Sequence, residues 1–388
     1  MDQFSQRYIQ LAFAIEAHVE GFVDAYFGPP ALKAPTERRE PAAIVDDLAG
    51  LRAEVAASAY PAGRIAYLEA QLRAMQATAR KLAGEQLAYR DEVRLLFDIE
   101  PIFTPETVFE EAIAALDQQL PGSGSVIERM EAWKKRFEVA PALARQMIDL
   151  ISSEARRRTA ELVALPAGEA VEFALVSDKP WSGYNWYLGN GRSLVEINTD
   201  LPIRANSLLD LVCHEAYPGH HTEHALKEQL LYNERGWGEC AIQLINTPEC
   251  VISEGSATLA EELIFGAEAE SWAAETLYPL VGIEGDPVRE QRIGAAGWNL
   301  RALSGNAALM LHEQGADPEE VVRYIMRYGL RSEREARQSL RFISTPLWRA
   351  YTFTYFVGRD LINRWLSAGD RTTRFRQLLS EQIAPSVL

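Results

Sequence analysis

The chain is poor in the residues that staple small secreted domains: its three cysteines, Cys213, Cys240 and Cys250, are odd in number and show no paired spacing. A body of 388 residues buries a core that needs no disulfides, so they point to a reducing compartment. It also lacks any uncharged apolar run of about 18 residues, which excludes a membrane-spanning helix. The amino-terminal stretch has no basic start followed by an unbroken apolar core, because Glu16, His18 and Glu20 interrupt it. No signal peptide is expected there, and a cytoplasmic protein follows as the expectation. Positive charge is scarce as well. A formal charge of −16 repels phosphate backbones and anionic bilayers, so neither nucleic acid nor membrane is expected as a partner, and nothing in the sequence fixes the oligomeric state. No linker or low-complexity tract divides the chain, and internal repeats are not apparent.

What is present reads as an ordinary globular body, 47% apolar and 24% charged. Apolar side chains recur at helical spacing over residues 5 to 27 and stop at Gly28-Pro29-Pro30. Similar patterns cover about 42–58, 62–83, 86–97, 105–119, 124–137 and 141–163, with breaks such as Pro61, Pro121-Gly122 and Pro141. The pattern changes near 165: β-branched and aromatic residues in 171–198, with the turn signal Gly189-Asn190-Gly191, predict a small sheet with a hairpin that offers a cleft wall to an extended peptide. Asn206 or Ser207 is placed to cap the helix that follows. The expectation is a mainly α fold, a large helical array in two lobes around a cleft, with one small sheet before the metal-binding helix. The lobes are residues 1–165 and 166–388, within one continuous domain, and the active-site helices are 207–232 and 250–265.

Four of the six histidines fall in eleven residues, in the run from His214 to His224 that reads HEAYPGHHTEH. A hydrolytic zinc ion needs neutral imidazoles, often a carboxylate, an open position and a nearby proton acceptor. His214, Glu215 and His220 supply most of that set. Yet His214 and His220 are six apart, so on an unbroken helix they stand about 9 Å apart along the axis and face different ways. Pro218 has no amide hydrogen to donate and biases Tyr217 away from helical angles, and Gly219 permits a tight turn. A kink at 217–219 that folds His220 back towards His214 is therefore predicted. His221 competes as second ligand, and His220 with His224 forms a separate i, i+4 pair. Glu254, which opens a helical pattern with small residues, is the best third ligand, with Asp210 and Glu261 as partners for a ligand's free ring N–H. One zinc ion, or another divalent metal, is the expected cofactor. The arginines from Arg323 to Arg341 read as a solvated face, with the alternative that one grips a carboxylate. The aromatic residues from Trp348 to Phe356 read as core or cleft wall, one tyrosine being able to stabilise an oxyanion.

The HEAYPGHH motif, followed by SEGSATLAEE at 253–262, resembles a large bacterial family of unknown function grouped with helical zinc peptidases, whose pattern is H-E-A-x-P-G-H-H and then E-G-W-A. RALSGNAALMLH at 301–312 and Tyr355-Phe356-Val357-Gly358 look like two further segments of it. More distantly, the arrangement is similar to carboxypeptidase Taq and the gluzincin oligopeptidases. The resemblance implies His214, His220 and Glu254 as ligands, Glu215 as base and acid, and His312 and Tyr355 as transition-state or substrate groups. Arg301 and His221 are taken as substrate contacts. Ser256 replaces the usual tryptophan and Asn306 a common aspartate. These expectations add up to a zinc-dependent hydrolase, a carboxypeptidase or oligopeptidase acting on a short peptide or small amide. The alternatives are a non-peptide amide or ester hydrolase, and a helical binding protein with a vestigial metal site.

Overall fold

The structure, a computed structural model, describes residues 1–33, 38–179 and 181–388. It is mainly α-helical, as the periodicity predicts. Six of the amino-terminal helices fall close to their predicted spans: Pro41–Ala56, Ala62–Leu82, Tyr89–Phe97, Glu106–Gln119, Val126–Arg136 and Pro141–Leu162. Local chemistry sets their ends. Pro41 and Pro141 occupy first-turn positions where no amide hydrogen is needed, and Ser125 with Glu128 forms a reciprocal capping box.

The first helix departs from its expected span of 5 to 27 and ends at Glu16. Its carboxylate turns back to accept hydrogen bonds from the amides of Gly21 (3.1 Å) and Val23 (2.7 Å), and Gly21 takes a positive φ of 84°. Residues 23–26 then form a strand antiparallel to Ile242–Leu244. Pairing with a segment more than 200 residues away outweighs helical spacing, which the local pattern could not register.

The predicted sheet is present. Arg192–Asn198 is its central strand, parallel to Ala170–Val176 and antiparallel to Gly183–Gly189. Residue 180 lies outside the described residues. The hairpin turns at Asn190-Gly191, both at positive φ (56° and 65°), as a two-residue turn of matching twist requires. A third, short pair joins Glu138–Val139 to Ile203–Arg204.

The interior is built across the sequence. Ala74, Val93, Phe97 and Phe109 pack with Val251, Leu309, Ile325 and Phe353. A second cluster joins Trp133, Phe137 and Ile148 to Val195, Leu208, Val212 and Tyr278. Two helices approach backbone to backbone where Gly255 of Pro248–Ala257 meets Gly358 of Thr352–Ser367. A Cβ on Gly255 would lie 2.6 Å from the Gly358 carbonyl, and one on Gly358 would lie 2.6 Å from the oxygen of Val251.

Candidate metal centre

The helix bearing the first histidine runs from Ala205 to Glu215. Its cap is Arg204, not Asn206 or Ser207; strand Ile203–Arg204 feeds directly into it, and Ser207 Oγ instead donates to the Arg204 carbonyl. At Ala216 the backbone leaves helical angles (φ −118°, ψ −83°), the Tyr217–Pro218 peptide is cis, and a new helix runs from His220 to Lys227. The expected helix 207–232 is thus two helices, continued by a π-helical segment at Glu228–Glu234. The expected helix 250–265 is likewise two, Pro248–Ala257 and Ala260–Ile264. Gly219 closes the break, donating its amide to the Cys213 carbonyl at 3.0 Å. A Cβ there would fall 1.8 Å from the carbonyl oxygen of His214, so no other residue fits without moving the backbone.

The break brings His214 and His220 together, their Nε2 atoms 3.2 Å apart. Glu254, from Pro248–Ala257, adds Oε2 at 3.3 Å from His214 Nε2 and 3.8 Å from His220 Nε2. Ligands at about 2.0 Å around a tetrahedral zinc lie roughly 3.3 Å from one another, so the three atoms match such a set. The chemistry of the carboxylate agrees: Oε1 accepts from Tyr351 Oη at 2.8 Å, whereas Oε2 is buried without a hydrogen-bond partner. A buried, unsatisfied carboxylate oxygen beside two imidazole nitrogens is the acceptor that a cation satisfies. Among the described residues these three form the one cluster of metal-ligand spacing.

A chain of hydrogen bonds orients His220. Ser253 Oγ donates to Glu223 Oε2 at 2.6 Å, and Glu223 is in turn held by Lys227 at 2.6 Å, which also reaches Glu249. A hydroxyl has one proton, so Ser253, 3.0 Å from His220 Nδ1, accepts from that nitrogen. This leaves the His220 Nε2 lone pair directed at His214 and Glu254. Asp210 and Glu261 do not take the predicted role. Asp210 lies 3.9 Å from Arg301, and burial, reinforced by Asp210 and Glu270, pushes Glu261 up to about 8. The Ser253–Glu223–Lys227 chain escaped notice in the sequence, although Glu223 and Lys227 stand i, i+4 in the histidine helix and Ser253 precedes the third ligand.

His214, His220, Ser253 and Glu254 lie on a cleft of about 830 Å³. Glu215 also lines it, 6% exposed, with Gly183 close enough that a Cβ there would sit 3.1 Å from Glu215 Oε1. Burial raises the Glu215 pKa against the opposing pull of His214 and His220. Burial alone would lower His214, but Glu254, Glu215 and Asp210 outweigh it and push that imidazole up to about 9. The same imidazoles hold Glu254 below the usual carboxylate range although burial works the other way. Asp24, bonded by Tyr184 on the cleft wall, is lifted by burial to about 6. So much negative charge around one point favours a cation.

Of the remaining predicted residues, Tyr355 and Arg301 line the cleft. His221 does not: it is fully buried between Ser193 Oγ (2.8 Å) and Glu169 Oε2 (2.9 Å), so it serves neither as second ligand nor as substrate contact. His312 also lies away from the cleft, its Nε2 2.6 Å from the Ile343 carbonyl oxygen and its ring against Tyr89. His224 stacks on His220 and pairs through Nδ1 with Gln243 at 2.6 Å, and burial drives its pKa down to about 3.

No family model and no curated protein matches the chain. In its fold it is similar to a solved structure described as a "putative lipoprotein" of Colwellia psychrerythraea, with a TM-score of 0.55 at 19% identity over 89% of this chain. This chain spans 65% of that protein's length. A "putative lipoprotein of unknown function" of Shewanella oneidensis is also similar, at 13% identity and a TM-score of 0.49, over 89% of this chain and 71% of the other. The first likeness shows a shared fold. These findings correct three expectations. The relation to carboxypeptidase Taq and the helical zinc peptidases does not stand, because no family model supports it and the Colwellia structure that shares the fold is described as a "putative lipoprotein". The zinc-dependent hydrolase reading, peptidase or other, falls with it. The cytoplasmic placement is withdrawn on the description of the Colwellia structure. Among the described residues no helix is long and apolar enough to cross a membrane.

Proposed function

We propose that this chain holds one divalent transition-metal ion, zinc by donor type, on His214, His220 and Glu254, and that it is an enzyme performing metal-assisted acid–base chemistry on a small ligand in the cleft. The observation that carries the proposal is the buried, partnerless Oε2 of Glu254, 3.3 and 3.8 Å from two imidazole nitrogens that are themselves 3.2 Å apart. When bound, such an ion supplies Lewis acidity. The chain's own part is to orient and to exchange protons. Ser253 fixes the His220 tautomer, Tyr351 anchors Glu254, and Glu215 stands beside the centre as the proton acceptor. Tyr355, on the same cleft wall, is available as a hydroxyl donor to bound ligand.

Elemental analysis after zinc loading, together with visible absorption after cobalt substitution, tests the reading. One ion per chain with a tetrahedral cobalt spectrum is expected, and neither in His214→Ala or Glu254→Gln. Substoichiometric uptake by the unaltered chain, or full uptake by His214→Ala, overturns it. Glu215→Gln should keep the ion and abolish turnover of any ligand the site converts; undiminished turnover removes the base role.

A further inference from the structure

Arg331 differs from the other arginines in the basic run predicted as a solvated face. Arg337 pairs with Glu319 and Glu333, and Arg327 with Glu110. Arg331 instead lines the cleft. Among the described residues no carboxylate lies within ion-pair distance of its guanidinium, and its side chain donates one hydrogen bond, to the Ser339 hydroxyl. Leu330, at φ 47°, ends the helix Pro318–Gly329 and swings Arg331 inward before the next helix starts at Glu333.

Like charges gather around it. Lys134 and Arg301 line the same cleft. Lys134 feels both Arg331 and Arg204, and Arg331 feels Arg301. Facing them at long range are Glu335, its Oε1 3.7 Å from Lys134, and Asp210, its Oδ2 3.9 Å from Arg301, with Glu131 acting on Lys134 and Glu261 on Arg301 from farther off. Glu335 is already engaged, accepting from the amide and hydroxyl of Ser332 in a capping box. Three cations thus line this part of the cleft, and Arg331 itself has no carboxylate within ion-pair distance among the described residues, so its charge is left for an anion to match. Burial lowers the Arg331 pKa, with Arg301 adding to it and Glu335 opposing, as suits a guanidinium short of counter-charge. Its planar fork matches an oxyanion.

We propose that Arg331, supported by Lys134 and Arg301, binds an oxyanion, the carboxylate or phosphoryl group of a small ligand whose other end lies at the His214–His220–Glu254 centre. The oxyanion site stands on its own observations; only the second contact rests on the metal-centre reading. Calorimetric titration of the metal-stripped full chain with inorganic phosphate and, separately, with succinate tests it. One saturable site per chain is expected for at least one of the two, and the tighter probe tells phosphoryl from carboxylate recognition. Arg331→Ala should weaken it about tenfold or more, Arg331→Lys less because charge persists without the fork, and Glu335→Gln should tighten it. Arg337→Ala should leave it unchanged. No saturable binding of either probe, equal affinity in Arg331→Ala and wild type, or binding that requires loaded zinc each overturns the proposal. Should Arg331→Ala not fold, Arg331→Lys and Glu335→Gln decide instead: wild-type affinity in both overturns it. Zinc stoichiometry on the same preparations reads the metal centre separately, so either site can fail alone.

Discussion

His220 and His221 are neighbours in sequence and opposites in circumstance. His221 is sealed from solvent, and every polar atom around it is matched: Ser193 on one nitrogen, Glu169 on the other, with Tyr217 donating to Glu169 at 2.6 Å and Arg156 at 2.7 Å. His220 faces a cleft across from a carboxylate oxygen that has no partner. One cage is complete as a folded object, whereas the other has a deficit that only something from outside can fill. A buried polar network that is fully satisfied contributes rigidity; one left short by a single acceptor marks where a ligand belongs. The number of histidines does not separate the two, but the state of their partners does.

The difference between the two cages can be broken or sharpened by substitution. The largest effect is expected at the incomplete cage: His214→Ala or Glu254→Gln should weaken zinc binding by about 1000-fold or more in competition titrations, while leaving the urea midpoint of the metal-free chain near wild type. A comparable loss of metal-free stability would mean that this cage is structural too. Next, Gly219→Ala must displace the His214 carbonyl, which it would approach to 1.8 Å. A loss of about 3 kcal/mol in urea unfolding is expected, with zinc affinity falling alongside, because the same break positions both imidazoles. At the complete cage, His221→Ala should cost about 3 kcal/mol, since it strands a buried carboxylate, yet should alter zinc affinity little. A metal defect as large as that of His214→Ala would erase the distinction between the two histidines. Ser253→Ala should lower zinc affinity by about tenfold with little change in stability, the signature of a group that orients a ligand.

Acid should find the complete cage as well. Burial works to raise the Glu169 pKa, but His221, Tyr217 and Arg156 together hold it below the usual range. A carboxylate lowered by folding lends stability above its unfolded pKa of about 4.3, and that contribution disappears as pH falls through the folded value. Glu169→Gln should therefore flatten this part of the stability curve below about pH 4, measured by urea unfolding across pH. An unchanged acid limb would show that the cage does not carry it.

Much of this was legible in the sequence, because helices with regular apolar spacing and proline or glycine ends are set by local chemistry. Ala62–Leu82 and Pro141–Leu162 are read almost to the residue. The break at 217–219 was legible for the same reason: Pro218 and Gly219 constrain their own backbone. What escaped depends on distant partners. Val23–Tyr26 becomes a strand because Ile242–Leu244 lies beside it, and His221 leaves the site because Glu169, 52 residues earlier, captures it. Arg331 resembles its fellow arginines until Leu330 turns it into the cleft. Lineage was the least legible: a short motif matched in letters did not carry the relationship it suggested, though the geometry read from its spacing was independent of that relationship.

The contact between Gly255 and Gly358 bears on how a ligand would be received. With no side chain between them, the helix that carries Glu254 and the helix that carries Tyr355 touch through their backbones and cannot close further, and any added methyl would prise them apart. The loss of conformational freedom that usually accompanies capture of an ion or substrate has therefore been met during folding. On this wall of the cleft, occupancy should be a matter of arrival and departure, with the protein holding its shape through both.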